Sequence, residues 1–406
     1  MRVVPNGRKI EQRRRSKGLS RRTLAGLIGR SQEWLRQIEK GMRPLDSLEV
    51  LGRIAEALRV ESWSELVDLP TGLDLDARPA GRQDFVHLLW RSLLGVREGG
   101  PQVPGPPRVP VPVLDRRVAG VWSRWHTPGR NLGAIAHDVA SLLNGTREAM
   151  TWCAGKQPRE LPGARRVHVQ ALQLARAVLS HANEHWLAHV AAAQCLALTL
   201  PAEDAVLTGV AEHGAARSLL GLGFAADAER LALASLEALA HAPVPARQRY
   251  AAEGALHLVA AEAAAQANDV TTCQEMLRRA EKMTERQVLT GHPVFGPVSA
   301  QIGEVRSMIR LGHVDLAVDL AEKIRVDNQH PADEQADLYL AVAHARACRQ
   351  DHVPALLELL KLERTAEDVL RYAPLAGETI RQLLETAPHS LREELRRLDN
   401  LACDGS

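Results

Sequence analysis

Residues 32–40, Gln-Glu-Trp-Leu-Arg-Gln-Ile-Glu-Lys, follow a serine and precede a glycine. Wound as a helix, they put Gln32, Glu33, Arg36 and Gln37 on one side and Trp34, Leu35 and Ile38 on the other. The polar side offers amides, a carboxylate and a guanidinium. Those groups match base edges in a DNA major groove: Gln addresses adenine with two bonds, Arg addresses guanine, and a carboxylate accepts from cytosine. An ordinary amphipathic surface helix would share this pattern, so the flanking elements must decide.

Those elements are legible from their caps. Arg8–Ser16 reads as a basic helix. Ser20 caps a second, Arg21–Ile28; Gly29 turns the chain; Ser31 caps the third, Gln32–Lys40, and Gly41 ends it. After Pro44, Asp46 opens a fourth helix, Leu48–Leu58, and Trp63–Val67 forms a short fifth. Residues 1–44 hold 13 Lys and Arg against three acids (Glu11, Glu33, Glu39), while the whole 406-residue chain nets only +2. A basic head on a slightly acidic remainder implies that the head meets a polyanion.

The run Leu19-Ser20-Arg21-Arg22-Thr23-Leu24-Ala25-Gly26-Leu27-Ile28-Gly29-Arg30-Ser31-Gln32-Glu33-Trp34-Leu35-Arg36-Gln37-Ile38-Glu39-Lys40-Gly41 resembles the Xre, or lambda-repressor-like, helix-turn-helix family. The resemblance spans about residues 6–68. It implies a five-helix domain that binds double-stranded DNA, with Gln32, Glu33, Arg36 and Gln37 reading bases and Arg21 and Arg43 contacting phosphates. It also implies that Arg14 and Glu39 pair to tie the first helix to the end of the third. The family usually has Gln where Arg21 stands, and Arg should strengthen that phosphate contact. Members of the family usually dimerise on two half-sites about one helical turn apart.

Residues 96–112 contain six prolines and three glycines, which excludes a helix or a central strand. They read as a linker. The expected organisation is a DNA-binding domain over 1–69, a linker with a short helix (Asp84–Leu94) over 70–113, and helix after helix over 114–406. A repeat runs through this last part. Gly223, Asn268, Gly312 and Gln350 each stand five residues before a small one, Ala228, Cys273, Ala317 or Ala355. Twelve residues before each small one is Ala216, Ala261, Val305 or Ala343, letting paired helices approach closely. A fifth, weaker unit is expected near Arg166–Ala171. The pattern resembles tetratricopeptide repeats, with longer intervals. The expected fold is therefore all-α: helix-turn-helix head, Pro-rich linker, tetratricopeptide-like α-solenoid.

Xre-type heads on such bodies resemble bacterial regulators whose body binds a peptide or other small effector. In the repeat register, Arg217, Glu262, Arg306 and His344 form one row of the groove, with Arg310 a turn further on. Three arginines there suit a carboxylate or phosphate; the alternative is that they are ordinary solvated arginines. The body is also expected to dimerise. An interaction scaffold with a vestigial or tethering head is the competing reading.

Other chemistry is not expected. His181, His185 and His189 have metal-ligand spacing, but the run Ser180–Glu184 reads as a turn that breaks the stripe, so no metal or cofactor is assigned. There is no P-loop, HExxH, GxSxG or dinucleotide fingerprint, which argues against an enzyme. Five dispersed cysteines and the lack of a signal or spanning segment suggest a cytoplasmic protein. Arg outnumbers Lys 44 to 7, a skew common in high-GC bacterial genomes. Trp122, Trp125, Trp152 and Trp186 read as core anchors.

Overall fold

The computed structural model describes residues 7–40, 54, 57–58, 82–95, 109–199, 204–284, 294–327 and 330–403. Among the described residues there are eighteen α-helices, and none is long and apolar enough to cross a membrane. Contacts divide the chain into two compact units, 1–79 and 80–406.

The first unit begins with α1 (Gly7–Ser16), α2 (Arg21–Leu27) and α3 (Gln32–Glu39). Ser20 and Ser31 accept from the backbone N–H groups of Thr23 and Trp34, at 3.0 and 3.1 Å, so both serines cap as their types require. Gly29 has φ +68°, the left-handed conformation needed to turn sharply between α2 and α3. Ile10, Leu24, Ile28, Leu35 and Ile38 close a core with Ile54 and Leu58. Ile54, Ala57 and Leu58 are helical, in line with the fourth helix; the remainder of that helix, the fifth, and Arg43 lie outside the described residues.

The second unit opens with α4 (Arg82–Leu94), α5 (Val111–Trp125) and α6 (Leu132–Lys156); α5 begins inside the stretch expected to be linker, because Pro112 stands in its first turn, where a helix does not need the missing N–H. The short helix read in the linker is α4, and its Phe85, Leu89 and Leu93 sit in the same core cluster as α6. Five helix hairpins follow: α7 (Leu161–His181) with α8 (His185–Leu198), α9 (Ala205–Gly221) with α10 (Ala225–His241), α11 (Ala246–Gln266) with α12 (Val270–Met283), α13 (Pro297–Arg310) with α14 (Val314–Ala321), and α15 (Ala332–Cys348) with α16 (His352–Tyr372). A last pair, α17 (Pro374–Thr386) and α18 (His389–Cys403), ends the array.

One turn builds all five hairpins. Asn183, Gly223, Asn268, Gly312 and Gln350 have φ of 59°, 87°, 60°, 78° and 62°. In each, the next residue's N–H reaches back to the preceding helix, as Glu184 does to Leu179 O (2.8 Å) and Asp351 to Arg346 O (2.9 Å). That six-to-one bond satisfies a carbonyl the helix end leaves orphaned. The unit expected near Arg166–Ala171 is displaced: those residues lie inside α7, and the fifth turn is at Asn183. The small residues at the shared positions, including Ala188, Ala216, Ala228, Ala261 and Ala317, are fully buried.

The first helices of the hairpins, α7, α9, α11, α13 and α15, pack on one another in succession. Each second helix packs between its own partner and the next first helix, which leaves the row of first helices on the concave side. The array then curls until its end meets its beginning. Gly129 N–H, in the α5–α6 loop, donates to Thr365 O (2.9 Å), and Ala332 N–H donates to His126 O (3.0 Å). Ala366 breaks the helical geometry of α16 (φ −155°, ψ 76°), which turns the Thr365 carbonyl out of the helix and makes it available to Gly129. Of the four tryptophans read as anchors, Trp125 is fully buried beside this junction, whereas Trp122, Trp152 and Trp186 are half-buried.

Candidate nucleic-acid interface

α3 buries Leu35 and Ile38 and turns its polar side outward. Gln32 and Glu33 are exposed, and Arg36 and Gln37 are partly so. Arg36 folds onto Glu33 with two bonds, Nε to Oε2 at 2.7 Å and Nη2 to Oε1 at 2.6 Å, and Gln37 Nε2 donates to Glu33 Oε1 at 3.3 Å. The hydrogen bond from Arg36 holds the Glu33 carboxyl below its usual range and raises the Arg36 guanidinium. Glu33, Arg36 and Gln37 form one connected, solvent-facing set, with Gln32 exposed on the same face. Water screens such pairs, so they can be exchanged for other partners at little cost. Trp34 lies partly buried, with the Arg30 guanidinium 5.7 Å from its ring centroid.

Behind this face is a buried ionic knot. Arg14 Nε and Nη2 grip Glu39 at 2.6 and 3.2 Å, and Glu39 is 1% exposed. The pair joins α1 to the end of α3, as the family resemblance implies. Arg21, expected at a phosphate, also belongs to the knot: its Nε donates to Glu39 Oε2 (2.5 Å) and its Nη2 to Glu11 Oε1 (2.8 Å). The Glu39 hydrogen bond raises the Arg21 guanidinium further. Arg21 remains 29% exposed, at the first residue of α2. It is therefore held in place by two carboxylates while part of its fork faces solvent. The sequence could not reveal this, because Glu11 and Glu39 carried no sign of sharing a partner.

On the inner face of the second unit, Arg217, Glu262, Arg306 and Arg310 come together. Glu262 is 1% exposed and accepts from Arg217 Nη1 (3.0 Å), Arg306 Nη2 (2.8 Å) and Arg310 Nη2 (3.4 Å). Asp337 of α15 joins them, bonded to Arg306 (2.5 Å) and Arg217 (3.4 Å). Burial works against the Glu262 charge, but the three guanidiniums overcome it and hold the carboxyl below its usual range. These arginines are thus not vacant, since the chain supplies their carboxylates, although Arg217 and Arg310 keep about a third of their side chains exposed. His344 is not part of the set; it faces Thr379 of α17 at 3.2 Å.

The three histidines do not form one stripe. His181 contacts Arg130 (2.9 Å) and Asp368 (3.8 Å) and His189 contacts Ser218 (2.9 Å), and the turn at Asn183 separates His181, in α7, from His185 and His189, in α8.

Residues 7–68 match the family model of a helix-turn-helix domain. No curated protein and no solved structure matches the chain. The match takes in α1–α3 and runs on to residue 68, and a helix-turn-helix domain points to DNA binding.

Proposed function

We propose that the chain is a sequence-specific transcriptional regulator of the Xre, lambda-repressor-like type. α3 enters the major groove, where Gln32, Glu33, Arg36 and Gln37 read base edges while Arg21 and Arg43 position the domain on phosphates. The observation that carries this reading is the outward polar face of α3, set behind two serine caps in a matched helix-turn-helix. The tetratricopeptide-like body pairs two heads in a homodimer and senses a peptide or small effector in the cytoplasm.

Selection from random duplexes, followed by gel shift of the winning sequence, tests the DNA half. The winner should shift at nanomolar protein and its scrambled version should not. Equal binding of both, vanishing at moderate salt, would leave only electrostatic attraction and favour the scaffold reading, in which the head merely tethers.

A further inference from the structure

The inner helices of the array obey one packing rule. Twelve residues before the small residue of each second helix stand Ala216, Ala261, Val305 and Ala343, all fully buried. The same count back from Ala188 in the first hairpin lands on Arg176. An arginine occupies the position that four other hairpins give to Ala or Val, and it is only 7% exposed. α9 accommodates it with a glycine. A Cβ at Gly214 would come within 2.6 Å of Gln173 Oε1 and 3.1 Å of Arg176 Nε.

Arg176 has poor company for a buried charge. Its Nε donates to the neutral amide oxygen of Gln173 (2.9 Å), and Gln173 Nε2 donates to Val210 O (3.3 Å). Among the described residues no carboxylate forms an ion pair with it, although Arg217, Arg306 and Arg310 all have theirs. Its terminal nitrogens are not among the buried atoms left without partners, so they face space that solvent reaches. Arg217 opposes its charge, while Cys195 and Asp333 favour it; the Asp333 carboxylate is itself engaged by His126 (3.2 Å). Burial first, then Arg217, push the guanidinium down to about 10, which still leaves it charged at neutral pH. A desolvated cation without a counter-ion is costly to the fold, and a planar fork of donors suits an oxyanion.

We infer that Arg176 anchors an oxyanion site on the concave face of the body, taking a carboxylate or phosphate group of a ligand, with Arg217 adding its positive field. This deepens the sensing half of the proposed function and rests on it; the DNA half is tested separately, so either can fail alone.

The test uses the full chain, with inorganic phosphate and acetate as separate probes and chloride at matched ionic strength as the control. Phosphate or acetate should raise the thermal midpoint saturably where chloride does not, and the stronger of the two identifies the group. Arg176→Met should abolish the response, and Arg176→Lys should weaken the apparent affinity about tenfold by removing the fork. Arg310→Gln, which alters an arginine already paired with Glu262, should respond like the parent. Without added anion, Arg176→Met should melt no lower than the parent, because it removes an uncompensated charge; a merely structural arginine would melt lower. Equal responses to chloride, phosphate and acetate would overturn the inference. So would an undiminished response in Arg176→Met, or unfolding of that variant under conditions in which the parent is folded.

Discussion

Replacing Glu262 by Gln should be among the most damaging single changes in the second unit. The parent cluster holds Arg217, Arg306 and Arg310 against Glu262 and Asp337, a local balance of +1. Gln keeps the shape but leaves three guanidiniums against one carboxylate, a balance of +2, and turns an amide N–H₂ toward them. Removing one partner of a buried ionic set costs about 3–5 kcal/mol. By contrast, Arg310→Gln removes a guanidinium whose side chain is 35% exposed and should cost under about 1 kcal/mol. Urea unfolding followed by far-UV circular dichroism measures both. The acid limb adds a second signature. The Glu262 carboxyl titrates lower in the folded chain than unfolded, so its stabilisation is complete above its unfolded value and is lost as pH falls through the folded one. Glu262→Gln should therefore show a flatter decline below about pH 4. Equal costs for the two variants, or a loss under about 1 kcal/mol for Glu262→Gln, would refute the idea that this carboxylate binds the hairpins together.

Three further outcomes are expected. Gln37→Ala should relax preference at one base pair by about 1–3 kcal/mol, whereas Arg21→Ala should weaken all duplexes alike, reduce the salt slope by about one and lower the melting point of the head, because Glu39 and Glu11 lose a shared partner; competition gel shifts across salt read both. His168 and His257 are buried, and desolvation pushes each down to about 4, so their neutral forms are favoured in the fold. Stability should fall from about pH 6.5 toward 4 by about 3 kcal/mol for each, and His168→Asn should flatten that slope in a pH series of urea titrations. Gln350 sits at φ 62° without being glycine, so Gln350→Gly should stabilise by about 1 kcal/mol in thermal melts.

What the sequence made legible was governed by local rules. Ser20, Gly29 and Ser31 mark α2 and α3 because caps and left-handed turns depend on residues a few positions apart. Gly223, Asn268, Gly312 and Gln350 mark four hairpins for the same reason. The turn over Ser180–Glu184 was legible too, but its place in the repeat was not, because Arg176 stands at the small-residue position and breaks the pattern that aligned the others. The charge alternation Arg217, Glu262, Arg306 was visible in register, yet its meaning as an internal ion cluster depends on how closely neighbouring hairpins stack. Arg130 with Asp368 and His126 with Asp333 join residues more than two hundred positions apart, and no local rule reaches that far.

Those last contacts change how the body should respond to force. A row of hairpins with free ends behaves like a spring: each unit can open by itself, and stability adds up along the line. Here Gly129 is fastened to Thr365 and Arg130 to Asp368, so the row is a hoop. Bending one hairpin of a hoop shifts load around the whole circumference to the clasp. An event at α7 reaches α16 by two routes, through every helix between them and directly across the closure.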